Sequence, residues 1–323
     1  MLKLCLKTVA LFLCLLASVL LVSGENEPQS IEAPQNTTLL LLGKDDVSGL
    51  ADFVALLNVD AVQERVLLVQ IPRDTYISIP GGRYKKLNGA SKVLGSDGEL
   101  CALLSNSMGI DIDGYVAFDS DFVKEAVDIL GGVELYVPMD MDYEDPYQKL
   151  AIHLKKGKQR LNGEQAVGFV RYRKGYLRAD IGRIDAQKIF LSALAKTAVE
   201  RVEKKDIVPL ARLAVRYVKT DLPIDRLVSL GGFAGKLTQE KLSFATMPGE
   251  EVQSKQSGAW FYLLSKAGCD ELLKSLGGTG FDMGHIYSDT SRTELEEIYN
   301  KEIKARIYNA AEIDGEGIDI TPK

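Results

Sequence analysis

The sequence predicts an α/β protein: a layered α/β/α domain with a central mixed sheet, preceded by an N-terminal apolar anchor or signal segment. Three observations carry this prediction. Short apolar runs ended by glycine, proline or charge interleave with amphipathic stretches at helical spacing along the whole chain. The 323 residues are 46% hydrophobic and 26% charged, ordinary globular values that allow a sizeable core and exclude disordered, collagen-like and disulfide-framework classes. An apolar run close to Met1, flanked by lysines on one side only, sets the beginning of the chain apart from the rest.

That first element runs from Val9 to Val22, behind Lys3 and Lys7. Its 14 residues have the length of a signal-peptide core, while Leu4 to Val22 with a snorkelling Lys7 could just span a bilayer. Anchor and cleaved signal both fit residues 1–24, and either one keeps the lysines inside and exports the remaining chain. Residues 25–37, polar and with two prolines, read as a linker. The folded part is expected over 38–278, with 279–323 as a tail.

Thr37 to Gly43 reads as a buried strand, followed by strands over Phe53–Val59 and Val66–Ile71. Tyr76 to Ile79 alternates and predicts a fourth strand stopped by Pro80-Gly81-Gly82. Asp119-Ser120 should cap a helix with one apolar stripe, Phe122, Val123, Ala126, Val127 and Leu130, closed by Gly131-Gly132. Val133 to Val137 is another strand, and Ile184, Leu191, Leu194 and Ala198 mark a long amphipathic helix. The acidic run Asp140, Asp142, Glu144 and Asp145 reads as an exposed loop, with a second cation site as the alternative. Cys101 and Cys269 are either a pair or two buried thiols.

Net charge is −6, which argues against a nucleic-acid partner, and two histidines with four cysteines are too few for a zinc cluster. The charge is unevenly placed. Residues 153–188 hold ten Lys or Arg against three acids, a local +7 in an otherwise acidic exported chain. A solvated face would explain such a block, and so would an anion site. Arg171 and Arg173 follow the apolar segment Ala166–Val170 and would emerge side by side in period two, suited to gripping phosphate oxygens. Asp180, Arg183 and Gln187 fall at i, i+3 and i+7 on one helix stripe; an ordinary intrahelical pair fits this spacing as well. Arg178 reads as lying off the site.

Acids gather near the strand ends. Asp45 and Asp46 follow the first strand and Asp52 precedes the second, so turn chemistry or a Mg²⁺ site is expected there. The third strand ends in Pro72-Arg73-Asp74-Thr75, adding an arginine and a carboxylate. Carboxylates with arginines make a phosphoryl-transfer constellation. There is no Walker A run, no dinucleotide fingerprint and no serine nucleophile elbow; Gly277-Gly278-Thr279-Gly280 lacks the lysine.

Leu42-Gly43-Lys44-Asp45, Leu50-Ala51-Asp52, Ile71-Pro72-Arg73-Asp74-Thr75, Lys86-Leu87-Asn88, Val127-Asp128-Ile129-Leu130-Gly131-Gly132-Val133 and Leu161-Asn162-Gly163-Glu164-Gln165-Ala166, continued by Arg171-Tyr172-Arg173, occur in that order. From about Thr38 to Ala198 the set resembles the LytR-CpsA-Psr family. The resemblance implies a membrane-anchored, extracytoplasmic transferase that moves a glycopolymer, such as teichoic acid or capsule, from an undecaprenyl-pyrophosphate carrier onto peptidoglycan with Mg²⁺. It implies that Asp45 and Asp52 are the metal carboxylates and that Arg73, Arg171 and Arg173 bind pyrophosphate. Lys86, Asn88, Asp180, Arg183 and Gln187 match supporting polar positions, with Asp74 orienting Arg73. The carrier's tail implies an apolar cavity near Phe122, Val123, Val127 and Ile189. The chain departs from the family pattern in a short loop between Asp45 and Asp52 and in Ala51 and Phe53, where Ser and Thr are usual. A regulatory protein that only binds the lipid pyrophosphate and a lipid pyrophosphatase are the alternatives; retention of both carboxylates and all three arginines favours the transferase.

Overall fold

A computed structural model describes residues 36–45, 47–79, 85–148, 150–177, 179–234, 237–255, 257–281 and 297–313. The N-terminal apolar run, Asp46, Pro80-Gly81-Gly82 and Arg178 lie outside the described residues. Among those described, no helix is long and apolar enough to cross a membrane.

The chain opens with three strands, β1 (Thr37–Lys44), β2 (Ala51–Asp60) and β3 (Arg65–Gln70). Helices α1 (Ala90–Leu94) and α2 (Asp97–Met108), strand β4 (Gly114–Asp119) and helix α3 (Ser120–Ile129) follow. Four short strands come next: β5 (Val133–Val137), β6 (Met141–Asp145), β7 (Leu150–Leu154) and β8 (Gly157–Leu161). Three helices succeed them, α4 (Gly163–Arg171), α5 (Ala179–Arg201) and α6 (Lys204–Tyr217). The remainder comprises β9 (Lys219–Thr220), α7 (Ile224–Ala234), β10 (Leu242–Thr246), β11 (Gly249–Gln253), β12 (Trp260–Leu264), α8 (Lys266–Ser275) and β13 (Ile307–Asn309).

The main sheet has the order β13-β10-β3-β2-β1-β4-β9. Only β10/β3 and β1/β4 pair in parallel, so the sheet is mixed. Period-two alternation splits β1 between two cores: Leu39 and Leu41 pack with α4 and α5 residues such as Phe169 and Ile189, and Leu40 and Leu42 with Leu104 of α2 and Leu272 of α8. Both faces are therefore covered, which is why the strands read as continuous apolar runs. The expected layered α/β/α architecture is what forms. β13 comes from the segment read as a tail and closes one sheet edge by pairing Tyr308 with Phe244.

Helix α3 starts as its sequence predicts, the Asp119 carboxylate accepting from the Phe122 amide at 2.9 Å, and Gly131 and Gly132 end it at φ 74° and 90°. Tyr76–Ile79 is not a strand. The segment is buried, but its amides go to isolated partners, Tyr76 N–H to the Tyr262 carbonyl and Ile77 N–H to that of Lys85, so no ladder develops. The acidic run is not a loop either. From Asp142 on it lies in β6, paired with β7, and its alternation puts Asp142 and Glu144 outward, where both face His153. Cys101 and Cys269 are free and buried.

Candidate functional site: an arginine and carboxylate pocket

Antiparallel pairing brings the site together. Lys44 pairs with Ala51 and Gln70 with Ala55, so the end of β1, the start of β2 and the end of β3 lie together at one end of the sheet. Asp45 and Arg73 follow the carboxyl ends of β1 and β3, which run parallel to their neighbours β4 and β10, and the antiparallel β2 brings Asp52 to the same place from its start. Asp52 lies within β2, one residue past its start.

Helix α4 supplies the next arginine. Its capping box is complete: the Asn162 side chain accepts from the Gln165 amide at 2.9 Å, and the Gln165 side chain accepts from the Asn162 amide at 3.0 Å. Gly163 lets it pack flush on α3, since a Cβ there would stand 2.1 Å from the Lys124 carbonyl oxygen. The apolar segment before Arg171 is thus helical, and period two begins only at the C-cap. Tyr172 leaves the helix at φ −64°, ψ 137° and buries its ring, so Arg171 and Arg173 still face one pocket.

Helix α5 supplies the centre. Asp180, Arg183 and Gln187 form the expected stripe and all three are buried. Asp180 is more than half of an intrahelical pair: its Oδ1 lies 3.0 Å from Arg183, 3.5 Å from Arg73 and 3.6 Å from Arg173. One buried carboxylate thus gathers three guanidiniums from three elements. Asp52 engages the other edge of Arg73, and Asp45 lies 3.5 Å from Arg171. Gln187 bridges the Gln70 side chain at 2.9 Å and the Val170 carbonyl at 3.3 Å, fixing α5 against β3 and the end of α4.

These side chains line a cavity of about 650 Å³ containing Asp45, Asp52, Arg73, Arg171, Arg173 and Arg183. Burial opposes ionisation of Asp45, but the Ser48 and Val47 amides and the Arg171 guanidinium outweigh it and hold its carboxyl below the usual carboxylate value. Burial likewise works against charge on Arg73, yet Asp52, Asp180 and Asp74 raise its pKa. For Arg183 burial wins and lowers the pKa to about 10, which leaves it a cation at neutral pH. The Nε groups of Arg73 and Arg183 have no hydrogen-bond partner among the described residues. The cluster is arranged to take an anion of several oxygens.

Besides Asp180 and Gln187, three expected positions stand behind the pocket and do not line it. Asp74 pairs with Lys86 at 3.0 Å, so Arg73 is oriented by Asp52 and Asp180, not by Asp74. The Asn88 amide donates to the Arg73 carbonyl at 3.0 Å, which holds the backbone beneath the guanidinium. Sequence reasoning missed Val47, Ser48, Tyr143, Leu150 and Lys174, which also line the pocket, the Lys174 ammonium lying 6.0 Å from the Tyr143 ring centre. The alternation Met141-Asp-Tyr143-Glu was the signal for Tyr143, hidden by the acids between. A narrow cleft of about 90 Å³ adjoins the pocket, lined by Phe53, Phe118, Val123, Val167 and Val170 with Asp45 and Asp52 also contributing. Of the four residues expected near such a cleft, only Val123 lines it; Phe122, Val127 and Ile189 are core.

Fold and site define an α/β/α protein with a cationic anion pocket between two carboxylates and an apolar cleft. A family model described as the LytR_cpsA_psr family matches residues 21–277, and the chain belongs to that family. It is 28% identical over 248 residues to polyisoprenyl-teichoic acid--peptidoglycan teichoic acid transferase TagV of Bacillus subtilis (strain 168), covering 74% of this chain and 63% of that protein. The same identity over 219 residues relates it to regulatory protein MsrR of Staphylococcus aureus (strain COL), covering 65% of this chain and 64% of that one. Among solved structures, B. subtilis TagV superimposes with a TM-score of 0.63 at 26% identity, covering 75% of this chain and 96% of that one. TagT bound to LI-WTA shares the fold with a TM-score of 0.60 at 22% identity, covering 79% and 94%.

Proposed function

We propose that the chain is an extracytoplasmic phosphotransferase that moves a glycopolymer from an undecaprenyl-pyrophosphate carrier onto peptidoglycan. The observation that carries this reading is the buried Asp180 carboxylate, which aims Arg73, Arg173 and Arg183 at one cavity that also holds two more carboxylates. The similarity to TagV, whose name states that activity, supports it.

In the proposed reaction an acceptor hydroxyl oxygen attacks the sugar-proximal phosphorus, the bond to the bridging oxygen breaks, undecaprenyl phosphate departs with the electron pair, and the hydroxyl proton passes to that departing phosphate. Arg73, Arg171 and Arg173 bind the pyrophosphate oxygens and stabilise the charge that gathers on the leaving phosphate. Asp180, itself paired with Arg183, holds Arg73 and Arg173 in place, so the cluster needs little rearrangement as charge develops. Asp45 and Asp52 would hold Mg²⁺, which supplies neutralisation of the pyrophosphate. The pair fits that ion because Mg²⁺ takes one or two carboxylates and completes its shell with waters and substrate phosphates. No group of three or more candidate ligand side chains occurs among the described residues, so metal and pyrophosphate should bind together. Asp45 is held by backbone amides and Asp52 by Arg73. The apolar cleft beside Phe53 and Val123 receives the first isoprenes.

The deciding experiment is an assay of the purified protein with lipid-pyrophosphate-linked sugar, Mg²⁺ and peptidoglycan oligomers, reading both transfer and phosphate release. Transfer with release of undecaprenyl phosphate supports the proposal. Release without transfer would make it a pyrophosphatase, and binding without turnover a regulatory protein.

A further inference from the structure

Next to Asp180 but outside the arginine pocket lies a groove of about 960 Å³, bounded by the first turns of α5, the bend between β10 and β11, the start of β12 and residues 301–308. The last of these lie beyond the 21–277 covered by the family model. A small cavity lined by Asp74 and Asp180 shares Ile181, Glu251, Trp260 and Tyr262 with the groove. The groove therefore leads to the carboxylate that gathers the three arginines. It shares no lining residue with the apolar cleft, although both border the same cluster.

Its electrostatics differ from those of the pocket. Five cations and two carboxylates line the pocket, whereas four of each line the groove. In the groove they are largely paired: Lys188 with Asp185 at 2.8 Å, Lys301 with Glu250, and Lys304 with Glu302 at 3.9 Å. A surface so balanced has no attraction for a polyanion, and it suits a ligand of low net charge. Trp260 stands at the groove 56% exposed, a large flat apolar face of the kind that stacks on the CH-rich face of a sugar ring. Lys188, 3% exposed, lies under the Tyr308 ring at 5.2 Å and makes a fixed floor. Two further lining residues, Tyr176 and Thr246, bury hydroxyls with no hydrogen-bond partner among the described residues.

We propose that this groove binds the acceptor as a hydroxyl-rich glycan strand of low net charge, with Trp260 as its stacking platform. The inference rests on the transferase reading and names that reaction's acceptor subsite. The anionic donor and the acceptor glycan are thereby sorted by charge into adjoining sites.

Trp260 is the sole tryptophan, so its fluorescence reports the groove without any turnover. The full-length protein is titrated with a soluble peptidoglycan tetrasaccharide and, separately, with poly(glycerol phosphate) of similar length. The expected result is a saturable emission change with the glycan and none with the polyanion. Trp260→Ala should raise the acceptor KM roughly tenfold or more, as loss of an aromatic hot spot does, with Trp260→Phe restoring most of it and acceptor-independent phosphate release unchanged. An emission response to the polyanion alone, or to neither, would overturn the proposal. So would an unchanged acceptor KM in Trp260→Ala, and that outcome would leave the transferase reading standing. A glycan response in a protein that performs no transfer would uphold the groove and refute the transferase reading.

Discussion

Replacing Asp180 by Asn tests the centre of the cluster, because it removes one negative charge and keeps the shape. In the native protein that charge faces Arg183, 3% exposed, at 3.0 Å and two more guanidiniums within 3.6 Å. Without it three cations crowd one buried space, and only Asp52 and the more distant Asp74 remain against Arg73. Breaking a buried pair by removing one partner costs about 3–5 kcal/mol. For a domain of this size that corresponds to a fall in melting temperature of roughly 6–20 °C. Added pyrophosphate should reverse the loss, since an anion in the pocket replaces the missing charge and stabilises the folded state by mass action. The assay is thermal unfolding of both proteins with and without saturating pyrophosphate. The variant should gain more from the ligand than the native protein does. A variant that melts within about 2 °C of the native protein, well short of the shift expected for a broken buried pair, would refute the reasoning, as would an equal ligand gain in both.

Three further outcomes are expected. Arg171→Lys and Arg173→Lys should each lower transfer by roughly ten- to a thousandfold, the cost of losing one charge-stabilising donor, while the exposed Arg160→Lys stays near native in transfer rates measured at matched stability. Asp52→Ala should abolish turnover with the melting temperature little changed, and chelator should silence the native protein; full activity of the variant in excess chelator would remove Asp52 and the metal together. Burial pushes the Cys101 thiol up to about 12 and the Cys269 thiol upward as well, so neither is a thiolate at neutral pH. In a Cys5→Ser/Cys14→Ser background, a thiol reagent at pH 8 should therefore label neither until denaturant is added.

Much of this was legible because burial on both faces of the sheet writes itself as apolar runs. Thr37–Gly43 and the two runs after it fell within a residue or two of β1, β2 and β3. The stripe Asp180, Arg183, Gln187 was readable because helical spacing alone places those residues together. What stayed hidden depended on partners distant in sequence. Tyr76–Ile79 alternates like a strand, yet no neighbouring strand offers it a ladder. The acids of β6 masked an alternation that turns Tyr143 to the pocket. Ala166–Val170 read only as an apolar segment, although the capping box from Asn162 to Gln165 was present four residues earlier as a helix start. That Asp180 joins Arg73 and Arg173 required the closeness of β3, α4 and α5, which no spacing along the chain expresses.

The most direct measurement tracks the reacting phosphorus. A carrier substrate is prepared with the sugar-proximal phosphate radiolabelled, mixed with the protein, Mg²⁺ and peptidoglycan oligomers, and the products are separated. The account predicts that the label becomes covalently attached to peptidoglycan while the released undecaprenyl phosphate is unlabelled, and that Arg73→Lys slows both together. Label recovered as sugar phosphate in solution or on the lipid, with none on peptidoglycan, would contradict it.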